Sequence, residues 1–192
     1  MQQAKNKLNL LFKKPEKWDI YDDEIKTFLP SFNIQKRIGD ESVYGSIYEI
    51  DCYEKYVIKL MKVKGEFEQK MYNNEIQIGK KNGIEKCGVR ILASVVLNQT
   101  WNAYVMTHAL DGKQKYHVIS LNDYLKLNPK HKHIYTTLHQ KHPNVKYDKK
   151  VLKLFSTRLT QFYKLTQGFH GDLHLGNVMV ILNTKYDVHD IK

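Results

Sequence analysis

Residues 170–177 read His-Gly-Asp-Leu-His-Leu-Gly-Asn, and this stretch decides how the rest of the chain is interpreted. It lies between a run with helical spacing, 151–167, and an apolar run typical of a strand, 178–182. Short polar loops between regular elements often carry chemistry, because a rigid frame positions their side chains. Asp172 can accept a proton, and the side-chain carbonyl of Asn177 can bind a hard cation. The stretch therefore predicts a phosphoryl-transfer site, with an accidental polar turn as the simpler alternative.

Position by position, this stretch resembles the catalytic loop of protein kinases. The kinase signature H-R-D-L-x-x-x-N is matched at its His, Asp, Leu and Asn, beginning at His170. Gly171 stands where protein kinases usually have Arg, and His174 where they usually have Lys. The form HGDLHxxN is more similar to divergent kinases, namely small-molecule phosphotransferases of the aminoglycoside and choline type and Ser/Thr kinases of large DNA viruses. The resemblance implies that His170 and His174 belong to the catalytic loop, that Asp172 accepts the proton of the substrate hydroxyl, and that Asn177 holds Mg²⁺.

Two segments earlier in the chain resemble the ATP-binding part of the same family. Gly39 and Gly45 match the first and third glycines of the loop that covers the ATP phosphates, and Ser42 stands near the central one. Backbone amides in such a turn can bind phosphate oxygens. Lys59 lies in the apolar run 56–61, where an ammonium is costly unless it is paired. It resembles the strand Lys that holds the α- and β-phosphates. The simpler alternative for the two glycines is an ordinary hairpin, and the simpler alternative for Lys59 is an exposed lysine on an edge strand.

The segment 65–81 has apolar residues at helical spacing and predicts one amphipathic helix. It resembles the kinase helix whose Glu pairs with the strand Lys. We expect Glu75 to face Lys59 in this way. Glu68 is the second candidate, but it lies nearer the start of the helix, and a solvated Glu75 is the simpler alternative.

The family pattern is less complete in two other places. The strand-like run 101–108 continues into 105–112, which resembles the kinase hinge, with Met106 as gatekeeper and the backbone of Thr107 and Ala109 binding adenine. The ordinary alternative is a strand that ends at Asp111 and Gly112. A D-F-G motif, which supplies a second metal-binding Asp, is not found after the catalytic loop. Asp190 lies close to that position and is one candidate for the second Mg²⁺ ligand, beside Asn177. The other interpretation, which we favour, makes 188–192 the start of the next strand, with D-F-G beyond the sequence. We therefore expect this chain alone to show very weak or no phosphotransfer.

The composition limits the other classes of function. The chain has 192 residues, 42% hydrophobic and 27% charged, which is ordinary for a globular protein, and no run approaches the length of a membrane helix. The formal net charge is +11, but Arg occurs at only three of the 31 basic positions. Specific nucleic-acid recognition favours Arg, so we do not expect nucleic acid to be the main partner. The two cysteines indicate a reducing compartment. Four histidines within 131–142 lack the carboxylate or Cys spacing of a metal site.

These observations predict an α+β protein with the two-lobed protein-kinase-like fold. We expect an extension over 1–33, a small lobe over 34–110 with an antiparallel sheet and one helix, and an incomplete, mainly helical large lobe over 111–192. The resemblance implies an ATP- and Mg²⁺-dependent phosphotransferase that acts on a Ser or Thr hydroxyl in a protein. The alternatives are a small-molecule kinase of the same fold and a truncated, non-catalytic pseudokinase that binds a partner. We expect a cytoplasmic location, in the host cytoplasm or the virion if the protein is viral, while the substrate and oligomeric state stay open.

Overall fold

The computed structural model describes residues 2–42, 45–51, 55–108, 117–126, 149–167, 177–183 and 187–192. The chain divides into two compact units, the first formed by 1–82 with 89–112 and the second by 83–88 with 113–192. Helices and antiparallel strands occur in both units. The α+β class predicted from the sequence is therefore confirmed. Within the described ranges, no helix is long and apolar enough to cross a membrane.

The first unit is built on a six-stranded antiparallel sheet with the strand order β1-β5-β6-β4-β3-β2. Its consecutive strands β2, β3 and β4 pair as an antiparallel meander, in agreement with the antiparallel sheet expected for 34–110. A helix then precedes the β5–β6 hairpin. Its elements are α1 (Gln2–Phe12), β1 (Asp19–Ile20), α2 (Asp23–Phe28), β2 (Ile34–Ser42), β3 (Gly45–Ile50), β4 (Tyr56–Lys62), α3 (Glu66–Gly79), β5 (Ile91–Asn98) and β6 (Trp101–Thr107).

The two central strands, β4 and β6, are buried on both faces of the sheet. Alternate side chains of a strand point to opposite faces. Ile58 and Leu60 therefore join one apolar cluster, which includes residues of α1 and α2, while Val57 and Met61 join another that includes residues of α3. Burial on both faces explains why β4 reads as an almost continuous apolar run. Lys59, on the same face as Val57 and Met61, is the polar exception within this run.

The N-terminal helix α1 packs its apolar stripe against the first of these clusters. Ala4, Leu8 and Phe12 are spaced four residues apart and are all buried. The helix ends at Phe12, and Pro15 opens a short 3-10 turn, Pro15–Lys17. Residues 1–33, expected as an extension, thus contribute to the core of the first unit. Strand β1, which pairs with β5, was not anticipated, because two residues are too few for a periodic pattern.

The turn between β5 and β6 is held by a side chain. The side-chain oxygen Oδ1 of Asn98 accepts hydrogen bonds from the backbone N–H groups of Thr100, at 2.8 Å, and Trp101, at 2.9 Å. Asn at the first position of a turn commonly forms such bonds. The Asn98 side chain therefore fixes the turn between β5 and β6.

The second unit contains a three-stranded antiparallel sheet with the order β7-β8-β9. Its core includes Tyr124 from α4 and Val151 from α5, packed with apolar residues of all three strands. This part of the chain was expected to be mainly helical, and it contains a three-stranded sheet as well as helices. We predicted strands at 178–182 and 188–192 but missed β7, because its four residues run directly into the apolar start of α4. Its elements are β7 (His117–Ser120), α4 (Leu121–Lys126), α5 (Lys149–Thr166), β8 (Met179–Leu182) and β9 (Val188–Ile191).

Gly45, at the start of β3, is required by close packing of two strands. A Cβ at this position would lie 2.5 Å from the backbone oxygen of Leu60 on β4. We predict that Gly45→Ala lowers the free energy of unfolding by about 1–3 kcal/mol, because the backbone has to shift. Chemical denaturation measures this change. Gly88→Ala is the control, since its nearest contact would be an ordinary 3.6 Å, and equal losses in both variants would contradict the packing explanation.

Candidate functional site

The candidate site is centred on an ion pair between β4 and α3. The Lys59 Nζ lies 2.9 Å from both carboxylate oxygens of Glu75. The Lys59 side chain is 20% exposed and the Glu75 side chain 31%, so the ammonium is largely withdrawn from water. The nearby carboxylate offsets the free-energy cost of burying this charge. The predicted pairing of Lys59 with Glu75 is confirmed, and Glu75 rather than Glu68 is the carboxylate that meets Lys59. Such partly exposed pairs contribute little to stability but fix orientation.

Tyr104 is a third member of this site that sequence reasoning missed. It is the direct cross-strand neighbour of Lys59 on β6, and its hydroxyl donates a hydrogen bond to Oε2 of Glu75. Its ring centroid lies 5.7 Å from the Lys59 Nζ, within cation–π range. Burial, followed by the negative charge of Glu75, raises the pKa of Tyr104 well above its usual value, so the hydroxyl stays protonated. Only the register between β4 and β6 reveals this contact.

Further contacts fix α3 against β6 beside the ion pair. The rings of Tyr72 and Tyr104 lie 6.1 Å apart between centroids, and the Tyr72 hydroxyl donates to the backbone oxygen of Ala103 at 3.3 Å. Burial raises the pKa of Tyr72 to about 12. The Asn102 amide donates to Oε1 of Gln69 at 3.2 Å. These contacts join α3 to β6.

The residues predicted for adenine binding follow Tyr104 along β6. Met106 is buried in the cluster that includes residues of α3. The Thr107 backbone N–H donates to the oxygen of Arg90 at 2.9 Å, and the Arg90 N–H donates to the Thr107 hydroxyl at 3.0 Å. A side chain therefore closes this end of the β5–β6 ladder. Ala109 lies outside the described residues.

The predicted glycine-rich loop lies at the β2–β3 hairpin. Strand β2 continues through Gly39 to Ser42, because its pairing with β3 extends as far as Ser42 opposite Gly45. The side chain of Ser42 lies outside the described residues. Gly45 has a packing reason for being glycine, and that reason is independent of phosphate binding.

The other predicted site residues belong to the second unit. His170, Asp172 and His174 lie outside the described residues, as do the four histidines of 131–142. Asn177 lies two residues before the start of β8. Asp190 lies in β9, as expected if 188–192 begins a strand.

The carboxylate of Asp190 is already engaged. Its Oδ1 accepts hydrogen bonds from the Arg158 Nε at 2.9 Å, from the Arg158 Nη2 at 2.8 Å and from the Ile191 backbone N–H at 2.8 Å. Within the described part of the chain, no group of three or more His, Cys, Asp or Glu side chains is arranged to hold a metal ion. An arginine competes with a cation for the same oxygen. Oδ1 of Asp190 is therefore poorly placed to bind Mg²⁺, while the side-chain carbonyl of Asn177 is a type of oxygen ligand that Mg²⁺ accepts.

No protein-family model and no curated protein matched this chain.

The Arg158–Asp190 ion pair connects α5 to β9 and is expected to have a structural role. The Arg158 and Asp190 side chains are 25% and 17% exposed, and the arginine nitrogens Nε and Nη2 both donate to the carboxylate. We predict that Asp190→Asn and Arg158→Gln each lower the free energy of unfolding by about 1 kcal/mol. In a double-mutant cycle, the second change should then add little. Fully additive losses in denaturation experiments would show that the two side chains act independently.

Proposed function

We propose that this chain is an ATP-dependent phosphotransferase of the protein-kinase-like fold that transfers the γ-phosphate to a Ser or Thr hydroxyl of a protein. The observation that carries the proposal is the Lys59–Glu75 ion pair between a strand of an antiparallel sheet and the helix that follows it. Protein kinases need this strand-Lys and helix-Glu pair to position ATP. The sequence HGDLHLGN at 170–177 supplies the second half of the argument, since it follows the pair in the family's order.

The geometry of Lys59 suits phosphate binding. An ammonium has three N–H donors, and two of them are directed at the oxygens of Glu75. The third can donate to a phosphate oxygen, which also compensates part of the phosphate charge. Because Glu75 holds the ammonium before the nucleotide arrives, less side-chain entropy is lost on binding.

The chemistry of transfer is assigned to the second unit. Asp172 accepts or orients the proton of the acceptor hydroxyl, and Asn177 would hold Mg²⁺. The bound ion would neutralise charge that develops on the transferred phosphoryl group. Arg158 already binds Oδ1 of Asp190, which makes Asp190 the weaker of the two candidate Mg²⁺ ligands.

The engagement of Asp190 favours a second candidate, a kinase-like module that binds nucleotide or a partner protein without transferring phosphate. A small-molecule kinase of the same fold is the alternative for the acceptor, and His174, which stands where protein kinases usually have Lys, favours it. Both alternatives keep the same nucleotide-binding half.

The test combines calorimetric titration of the purified chain with ATP and a phosphotransfer assay with radiolabelled ATP. We expect micromolar to millimolar nucleotide binding and very weak transfer to a generic protein substrate, with the transfer abolished by Asp172→Asn. Replacing a general base typically lowers the rate by about 100- to 10,000-fold. Absence of nucleotide binding would overturn the proposal. Binding without transfer favours the non-catalytic module, and robust transfer abolished by Asp190→Ala would show that Asp190 is a metal ligand after all.

A further inference from the structure

Tyr104 contacts both partners of the ion pair, which distinguishes it from the other aromatic residues around it. Its hydroxyl donates to Oε2 of Glu75, and its ring lies beside the Lys59 ammonium. The side chain is buried, so water does not compete for the hydroxyl. Tyr72 packs against the same ring, but its hydroxyl donates to the backbone oxygen of Ala103.

We propose that Tyr104 is a positioning residue for nucleotide binding, and that its hydroxyl holds the Glu75 carboxylate in the orientation that keeps Lys59 ready for phosphate. The proposal rests on the proposed function for its last step, the binding of phosphate, but the contact between Tyr104 and Glu75 is independent of it.

The physical reason concerns competition for Lys59. A bound phosphate attracts the same ammonium as Glu75, and the carboxylate would then lose part of its pairing. A second donor that stays on Oε2 compensates this loss and keeps the carboxylate from turning toward solvent. Glu75 is 31% exposed, so such a rotation is open to it in the absence of the tyrosine. Tyr104 on β6 supplies this second donor to Glu75, while Lys59 on β4 supplies the ionic partner.

Acylation of Lys59 by an amine-reactive reagent tests the contact without nucleotide. Mass spectrometry follows the rate at Lys59 relative to the exposed Lys62 on the same strand. We expect Tyr104→Phe to raise the relative rate by about tenfold, because hydrogen bonds to charged groups are worth about this factor or more. Tyr72→Phe is the matched control, since it deletes an equivalent buried hydroxyl from the neighbouring ring, and it should leave the rate unchanged.

The same substitution in a Glu75→Ala background shows whether Tyr104 acts through Glu75. We expect Tyr104→Phe to have no further effect there. An unchanged rate in Tyr104→Phe, an equal rise in Tyr72→Phe, or an additive effect without Glu75 would each overturn the proposal. If Tyr104→Phe fails to fold, proton NMR of the unmodified chain decides. A slowly exchanging Tyr104 hydroxyl proton that is lost in Glu75→Ala supports the contact, and unchanged exchange overturns it.

Calorimetry with ATP then tests the functional step. Tyr104→Phe should weaken binding by about tenfold, and Tyr72→Phe should not. If the unmodified chain binds no ATP, the proposed function fails while the acylation result still decides the role of Tyr104. If ATP binds equally well to the unmodified chain and Tyr104→Phe, the positioning role is wrong and the proposed function stands.

Discussion

Lys59→Ala is expected to weaken ATP binding by about 100-fold while the first unit stays folded. The ammonium supplies a charge-assisted hydrogen bond and a full positive charge beside the phosphates, and loss of such a contact typically costs about 1.5–3 kcal/mol. Stability should change by no more than about 1 kcal/mol, because the side chain is only partly buried and Glu75 keeps its hydrogen bond from Tyr104. Calorimetric titration and thermal melting measure the two effects separately.

Lys62→Ala is the matched control for this experiment. Lys62 lies on the same strand three residues further on and is exposed. Loss of its charge should leave ATP binding nearly unchanged, since a diffuse surface charge is screened by salt. Glu75→Ala should give an intermediate loss, because Lys59 keeps its charge but not its orientation. Equal affinities of Lys59→Ala and the unmodified chain would remove the main support for the kinase-like proposal.

Phe12→Ala is expected to lower the free energy of unfolding of the first unit by about 3–5 kcal/mol. The Phe12 ring is fully buried, stacks on Trp18 with the centroids 5.4 Å apart, and meets the edge of Phe32 at 5.6 Å. Its removal would leave a cavity bordered by other aromatic rings. Such rings cannot collapse easily into the space. Denaturant titration followed by circular dichroism and tryptophan fluorescence measures the change.

The same helix supplies the control for this substitution. Leu10 is 69% exposed, so Leu10→Ala should change the free energy of unfolding by less than about 0.5 kcal/mol. Similar effects of the two substitutions would show that α1 does not belong to the cooperative core. A large difference would show that the N-terminal residues and the sheet unfold together.

The elements that the sequence predicted well are long and strongly patterned. The helix expected over 65–81 is Glu66–Gly79. The apolar run 56–61 lies within β4, and the strand-like run 101–108 matches β6 to within one residue. The ion pair was also predictable, because a lysine inside an apolar run requires a compensating charge, and the resemblance to the kinase helix pointed to Glu75.

The contacts that were missed depend on information that local patterns do not contain. Tyr104 reads as an ordinary core aromatic, and its partner is defined only by the cross-strand register with Lys59. Asp190 reads as a possible metal ligand until the long-range contact with Arg158, 32 residues away, is known. Strands β1 and β7 are so short that tertiary pairing, rather than propensity, determines them.

The short strand β1 also bears on the solubility of the first unit. An exposed sheet edge is a template for association with other chains. β1 covers Ala93 and Ser94 on one edge of the six-stranded sheet, and the opposite edge, β2, carries the charged residues Lys36 and Arg37, which discourage edge-to-edge pairing. A chain that began at residue 34 would lose β1, which covers one edge of the sheet, and would uncover the apolar face beneath α1. Aggregation, rather than simple loss of stability, is the outcome that such a shortened chain would show first.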